Sequence, residues 1–200
     1  MKKTFLLLIF MFSAVAHAQT LTLDTLKTAL QAPLQSGDAL HGHFVQQRWL
    51  KQMSKPVQSE GEFTLVPDKL LLWQMEKPFP LTLRVREDGV AQRDAQGKWQ
   101  PGAQNSRQMA LFMAVLGGDL PTLEKTFALT LTGSIDNWQL QLTPKDTLLQ
   151  HIFTRITLHG DTFVREVVLE ETQGDRSVLR FIDTKAITPL PPSAEEALSP

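Results

Sequence analysis

The sequence predicts a mainly β protein, a half-open antiparallel β-barrel formed by one curved sheet of about 10 to 11 strands, with an N-terminal helix and inserted lid helices. Residues 60–86 contain three consecutive segments with strand periodicity, and residues 128–184 contain a further series joined by short turns. Helical periodicity occurs at residues 20–32 and again at residues 105–127. Since so long a sheet curls, helices packed into its concave side would enclose an apolar interior.

The second strand of the central segment is apolar on both of its faces. Because side chains alternate along a strand, Leu71, Trp73 and Met75 point to one side of the sheet. Leu70 and Leu72 point to the other side, which is therefore only partly polar. The richly apolar side needs a cover, and the nature of that cover decides the function.

The first residues have the pattern of an export signal. Lys2 and Lys3 precede the apolar run Phe5–Val15, and Ala16-His17-Ala18 is typical of a cleavage site. We expect a signal peptide at residues 1–18, a single folded domain at residues 19–187, and a flexible tail rich in Pro, Ala and Glu at residues 188–200.

The chain contains no cysteine. It therefore has no disulfide framework, although an oxidising exported compartment would permit one. It also lacks the cysteine needed for acylation at a new N-terminus. We expect a soluble periplasmic protein that is released rather than lipid-anchored.

The charged residues are nearly balanced, with 20 Lys and Arg against 21 Asp and Glu, and a net charge of −1 at pH 7. This balance argues against nucleic acid, or an anionic membrane, as the main partner.

The chain lacks the common sequence signatures of enzymes, including a nucleophile elbow, a P-loop and a zinc-protease motif. His41 and His43 share one face of a predicted strand, as two metal ligands would, yet no third ligand is recognisable nearby. We interpret them as an exposed polar pair. The sequence thus predicts no catalytic residue, no metal site and no cofactor.

Residues 105–117 form a predicted helix with almost no polar face. Such a helix is buried on both sides or contacts a ligand. In one interpretation its side chains belong to the core of the barrel; in the other they form a displaceable lid over a cavity for acyl chains. Methionines favour the lid, because they repack around varied apolar partners. The predicted lid residues are Met109, Phe112, Met113, Leu116 and Leu120 of the next helix.

Over nearly its whole length the predicted mature chain resembles LolA-type carriers of outer-membrane lipoproteins. The matching motifs are GHFVQQ at residues 42–47, LVPDKLLLWQMEKP at residues 65–78, Asp88-Gly89, the inserted helix and NWQLQLTP at residues 137–144. The resemblance implies an unclosed barrel, covered by helices, that binds the acyl chains of lipoproteins inside.

The resemblance also implies roles for individual residues. Leu71, Trp73 and Met75 match the strand that lines the family's cavity, and the inserted helix matches its lid. Family members have an Arg just before the proline of the central turn, implicated in holding the lid closed, where this chain has Val66. With the inward-facing positions of neighbouring strands, the predicted cavity residues are Phe44, Phe63, Leu65, Leu71, Trp73, Met75, Leu83, Trp138 and Leu140.

The predicted function is that of a monomeric periplasmic carrier of acylated lipoproteins, loaded by an inner-membrane exporter and unloaded at an outer-membrane acceptor. One alternative is a carrier of a different acyl lipid that works with a membrane lipid exporter. Another is a lipid-sensing domain that regulates a partner protein.

Overall fold

A computed structural model describes residues 21–35, 37–102 and 106–199, with the side chains of residues 106–110 left aside. The predicted signal peptide therefore lies outside the described residues. Within the described part, no helix is long and apolar enough to cross a membrane.

Eleven strands form one antiparallel sheet that is open rather than closed. In chain order they are β1 (Ala39–Trp49), β2 (Val57–Val66), β3 (Leu70–Lys77), β4 (Leu81–Arg86), β5 (Gly89–Arg93), β6 (Trp99–Pro101), β7 (Phe127–Ser134), β8 (Asn137–Pro144), β9 (Phe153–Gly160), β10 (Val164–Glu171) and β11 (Arg176–Ile187). The order across the sheet is β6-β5-β4-β3-β2-β1-β11-β10-β9-β8-β7. The two arms of the sheet meet where β1 pairs with β11, and β6 and β7 are its free edges. The predicted half-open antiparallel architecture is confirmed.

The described residues form five helices: α1 (Leu23–Gln35), α2 (Ser106–Leu116), α3 (Leu120–Thr126), α4 (Thr147–Gln150) and α5 (Pro192–Leu198). Helix α1 continues through Pro33, where the sequence predicted its end. Proline has no backbone N–H to donate, but Pro33 lies in the last turn, so the hydrogen bonds of the helix interior are unaffected. The short helix α4 follows Asp146, whose carboxylate accepts hydrogen bonds from the backbone N–H groups of Leu148 and Leu149.

The alternation of side chains predicted for the central strands is confirmed. Leu71 and Trp73 of β3 belong to a large buried cluster on the inner face of the sheet, beneath α1, α2 and α3. Leu70 and Leu72 belong to a smaller cluster on the outer face. The outer face of the sheet is therefore also apolar at β2 and β3.

Helix α5 covers that outer cluster. Ala194 and Ala197 are fully buried against it, and Arg84 and Arg86 of β4 donate hydrogen bonds to the last carbonyls of the helix. Positive charge at a helix C-terminus is favourable, because the carbonyl end carries partial negative charge. The flexible tail expected at residues 188–200 thus differs from the structure, in which most of it is a docked helix.

Candidate functional site beneath helix α2

Helices α2 and α3 bridge the two arms of the open sheet. Helix α2 packs against β4 and β5, while α3 packs against β7 at the other free edge. The sharp turn between the helices needs Gly118, whose φ of 66° is left-handed and whose added Cβ would lie 2.8 Å from the Leu30 Cβ. The two helices therefore cover the inner face where the barrel is not closed.

Four aromatic rings, with Trp73 at their centre, join the cover to the sheet. The Trp73 ring stacks on Phe44 of β1 with a centroid separation of 3.8 Å, and Phe112 of α2 lies near-parallel to Trp73 at 6.2 Å. Phe181 of β11 meets the Trp73 ring edge-on at 6.5 Å. The separations of Trp73 from Phe112 and Phe181 are typical of favourable aromatic pairs. Trp73 is thus the contact between the predicted lid and the predicted cavity wall.

The attachment of α2 is entirely apolar over residues 111–116, since each of these side chains is a hydrocarbon or thioether. Phe112, Val115 and Leu116 are buried, whereas Met113 and Ala114 are half-buried. Apolar contacts are non-directional, so another apolar group can replace them without leaving a polar atom unpaired. The side chain of the predicted lid residue Met109 lies outside the described residues.

A groove of about 360 Å³ opens beside α2. Its apolar wall comes from Leu65, Val85 and Val90 of the sheet and from Met113 and Ala114 of the helix. Polar side chains surround this wall, at Asp68, Arg86, Glu87, Asp119 and Thr122. An apolar wall with a polar rim suits a ligand that has an acyl chain and a polar headgroup.

The structure brings nearly all of the predicted site residues into one cluster on the inner face. Met75 and Met113 lie half-buried at its margin, and the Met109 side chain is not described. The buried members are Phe44, Phe63, Leu65, Leu71, Trp73, Leu83, Trp138, Leu140, Phe112, Leu116 and Leu120. This placement agrees with both interpretations of the helix, as core and as lid, and the binding roles remain predictions.

Trp138 differs from Trp73, because polar and steric contacts fix it in the other arm of the sheet. Its indole N–H donates a hydrogen bond to the Asp161 carbonyl at 2.6 Å. A Cβ on Gly160 would approach the Trp138 ring to 2.2 Å, so only glycine fits beneath it. Trp138 thus anchors the turn between β9 and β10.

The Asp161 carboxyl in the same turn has a lowered pKa. Partial burial raises this pKa, but hydrogen bonds from the Phe163 backbone N–H and the Arg165 guanidinium outweigh the effect of burial.

The two histidines of β1 have separate partners. His41 Nδ1 lies 3.1 Å from the Thr64 hydroxyl, and His43 Nε2 lies 3.4 Å from the Glu62 carboxylate. Among the described residues, no group of three or more His, Cys, Asp or Glu is placed to hold a metal ion.

Val66, which stands where the family resemblance implied a lid-holding arginine, lies in the outer cluster under α5. Its neighbour Leu65 points inward and lines the groove. The resemblance therefore assigned the lid contact to a position whose side chain points away from α2.

Sequence reasoning missed several residues of the inner face. Phe181 contacts both Trp73 and Phe63, and Val85 and Val90 form part of the groove wall. The alternation of Leu81, Leu83 and Val85 predicts that Val85 faces the same side of the sheet as Leu83. Phe181 depends on the pairing of β1 with β11, which joins distant segments of the chain.

Comparison with family models decides the relationship of the chain to known proteins. The model described as outer membrane lipoprotein carrier protein LolA-like matches residues 16–181. The chain belongs to this LolA-like family. A comparison with curated proteins finds no significant match.

Solved structures with a similar fold include a LolA superfamily protein and MucB. The LolA superfamily protein NE2245 from Nitrosomonas europaea is 11% identical with a TM-score of 0.48, covering 90% of this chain and 99% of that one. MucB is 13% identical with a TM-score of 0.51, covering 86% of this chain and 61% of MucB. The matching chain of the MucA/MucB complex of Pseudomonas aeruginosa is 18% identical with a TM-score of 0.49, covering 89% of this chain and 59% of that one. At these identities the likeness concerns the LolA-like fold alone.

Proposed function

We propose that this chain is a periplasmic carrier that binds acyl chains between α2 and the inner face of the sheet. Its cargo is the acylated end of lipoproteins, which it carries from an inner-membrane exporter to an outer-membrane acceptor. Membership of the LolA-like carrier family supports this proposal. Binding, rather than catalysis, is the activity that an apolar interior supports.

The observation that carries the proposal is the contact of Phe112 with Trp73 beneath a helix whose described side chains are all apolar. An acyl chain that displaces Phe112 exchanges one apolar contact for another. Each methylene removed from water contributes about 0.8 kcal/mol. The methylenes of one acyl chain together offset the free-energy cost of moving α2 away from the sheet. The same apolar character allows release to a more apolar acceptor.

The test is mass spectrometry of lipids extracted from the protein after purification from the periplasm of its own cells. A triacylated lipoprotein in stoichiometric amount would support the lipoprotein cargo. A different acyl lipid would identify the chain as a carrier that works with another exporter. Absence of acyl lipid, together with no binding of a dansyl-labelled fatty acid in solution, would contradict the carrier function.

A further inference from the structure

Apolar side chains are exposed at one end of the sheet, on loops that contribute nothing to the groove. Among the described residues, four of the six exposed large apolar side chains lie at this end. We call these four the apolar rim: Met53 (50% exposed), Val57 (45%), Phe79 (75%) and Leu148 (50%). Two further exposed side chains, Ile135 and Ile182, lie elsewhere.

Strand pairing places the loops of the apolar rim at the same end. Met53 belongs to the connection between β1 and β2, Val57 is the first residue of β2, and Phe79 belongs to the connection between β3 and β4. These two connections are neighbours, because Glu60 near the start of β2 pairs with Lys77 at the end of β3.

Leu148 is on α4, between β8 and β9, and it reaches the same end through the other arm. Phe153 at the start of β9 pairs with Glu171 at the end of β10. The turn that follows β10 bonds to the β1–β2 connection, where the Lys51 backbone N–H donates to the Asp175 carboxylate at 3.0 Å. The rim therefore draws on loops from both arms of the half-barrel.

Exposed lysines accompany the apolar rim. Lys51 and Lys55 stand on either side of Met53. Lys77 precedes Phe79 and pairs with Glu60, and Lys145 lies three residues before Leu148 and donates to the Glu124 carbonyl.

Most acidic side chains at this end are engaged. Asp175 and Glu171 bind Arg48, Asp146 caps α4, and Asp94 accepts hydrogen bonds within the β5–β6 turn, while Glu76 and Glu124 are exposed without a described ion pair. The loop at residues 50–56 contains two lysines and no acidic residue.

The opposite end of the sheet is acidic. Its hairpin turns contain five acidic residues, Asp68, Glu87, Asp88, Asp136 and Asp161, and one lysine, Lys69. Of the acidic residues, Asp88 pairs with Arg86 and Asp161 with Arg165. The net charge, which argued against an anionic membrane as main partner, thus averages over two ends of different character. A negative surface would attract the lysine end and repel the other, and so orient the molecule.

We propose that the apolar rim and its lysines are a docking surface for a lipid bilayer that contains anionic headgroups. The rim side chains are distributed over three separate connections of the sheet, which suits insertion between headgroups better than a contiguous protein interface. Prolines on both sides of Phe79 restrict the backbone that presents it. Lysines beside inserted apolar groups keep their charges at headgroup level while their stems lie along the apolar layer. This docking does not depend on the cargo proposed above.

The test is co-sedimentation of the full chain with vesicles of phosphatidylethanolamine and phosphatidylglycerol. The combined substitution Met53→Ser and Phe79→Ser is expected to weaken association about tenfold or more, because it removes Phe79, the most exposed rim side chain, together with Met53 from the neighbouring connection. Ile135→Ser is the matched control: it removes an exposed apolar side chain from the β7–β8 turn at the acidic end, and vesicle association should be unchanged.

A second pair of variants tests the charged component. Lys51→Gln with Lys55→Gln is expected to weaken association with these vesicles, and added salt should remove the difference from the native chain. No co-sedimentation of the native chain would overturn the proposal, as would equal losses for the rim and Ile135 variants. Binding of a dansyl-labelled fatty acid in vesicle-free solution should be the same for native and rim variants, so failure of the carrier function would be recognised separately.

Discussion

Met113→Asp is expected to weaken binding of a dansyl-labelled fatty acid at least about a hundredfold while the chain stays folded. Met113 lines the groove beside α2 and is only half-buried, so an aspartate there reaches water in the free protein. In the complex the same carboxylate would face an acyl chain, which costs several kcal/mol, and about 1.4 kcal/mol corresponds to a tenfold change in affinity. Fluorescence titration of the probe measures the effect, and circular dichroism checks the fold.

Met53→Asp is the matched control, because it makes the same substitution at a half-exposed methionine in a loop outside the groove. Its affinity for the probe in solution should equal that of the native chain. If Met113→Asp unfolds the protein, the helix is a structural part of the core; if it binds the probe normally, α2 does not contact the ligand. Phe112→Asp is a poorer test, since Phe112 is 5% exposed and its loss would also weaken the core.

Trp138→Ala is expected to lower the free energy of unfolding by about 3–5 kcal/mol, as for other large aromatic side chains removed from a core. The ring is 1% exposed, and its loss leaves both a cavity above Gly160 and an Asp161 carbonyl without its hydrogen-bond donor. Urea unfolding monitored by circular dichroism gives the change.

Trp138→Phe separates the two contributions, since it keeps most of the ring and removes only the N–H donor. Its expected loss is about 1–3 kcal/mol, the cost of an unsatisfied buried polar group. A loss for Trp138→Ala below that of an ordinary surface substitution would contradict the assignment of Trp138 as the anchor of the β9–β10 turn.

Much of the fold follows from the period of the apolar residues. The alternation in residues 70–75 correctly assigned Leu71 and Trp73 to the inner face and Leu70 and Leu72 to the outer one, because a strand has a strict period of two. The same strictness places Val66, where the resemblance implied a lid-holding arginine, on the outer face, while its neighbour Leu65 faces inward.

The docked tail could not be predicted, because its composition is typical of mobile segments. Helix α5 is stabilised by contacts with residues more than a hundred positions earlier in the chain, among them Arg84 and Arg86. Its two small alanines fit against the outer cluster only once β2 and β3 have paired. Local sequence holds no information on such a surface.

The candidate site was predicted in its apolar character and not in its geometry. Residues 105–117 stand out as a helix without a polar face, which indicates burial or a ligand. Which ring it meets depends on how α2 packs against the sheet, and the stack of Phe112 on Trp73 is visible only in three dimensions. The distinction between Trp73 and Trp138 likewise comes from their contacts rather than from residue type.

The most direct test of the account is quenching of tryptophan fluorescence by phosphatidylethanolamine with brominated acyl chains, since bromine quenches an indole only near contact. We predict that the lipid quenches the native chain and Trp138→Phe, whereas Trp73→Phe loses most of the quenching. This result would place the acyl chain between α2 and the inner face, where Trp73 meets Phe112. Lipid binding with unchanged quenching in Trp73→Phe would contradict the account, because the acyl chain would then lie elsewhere.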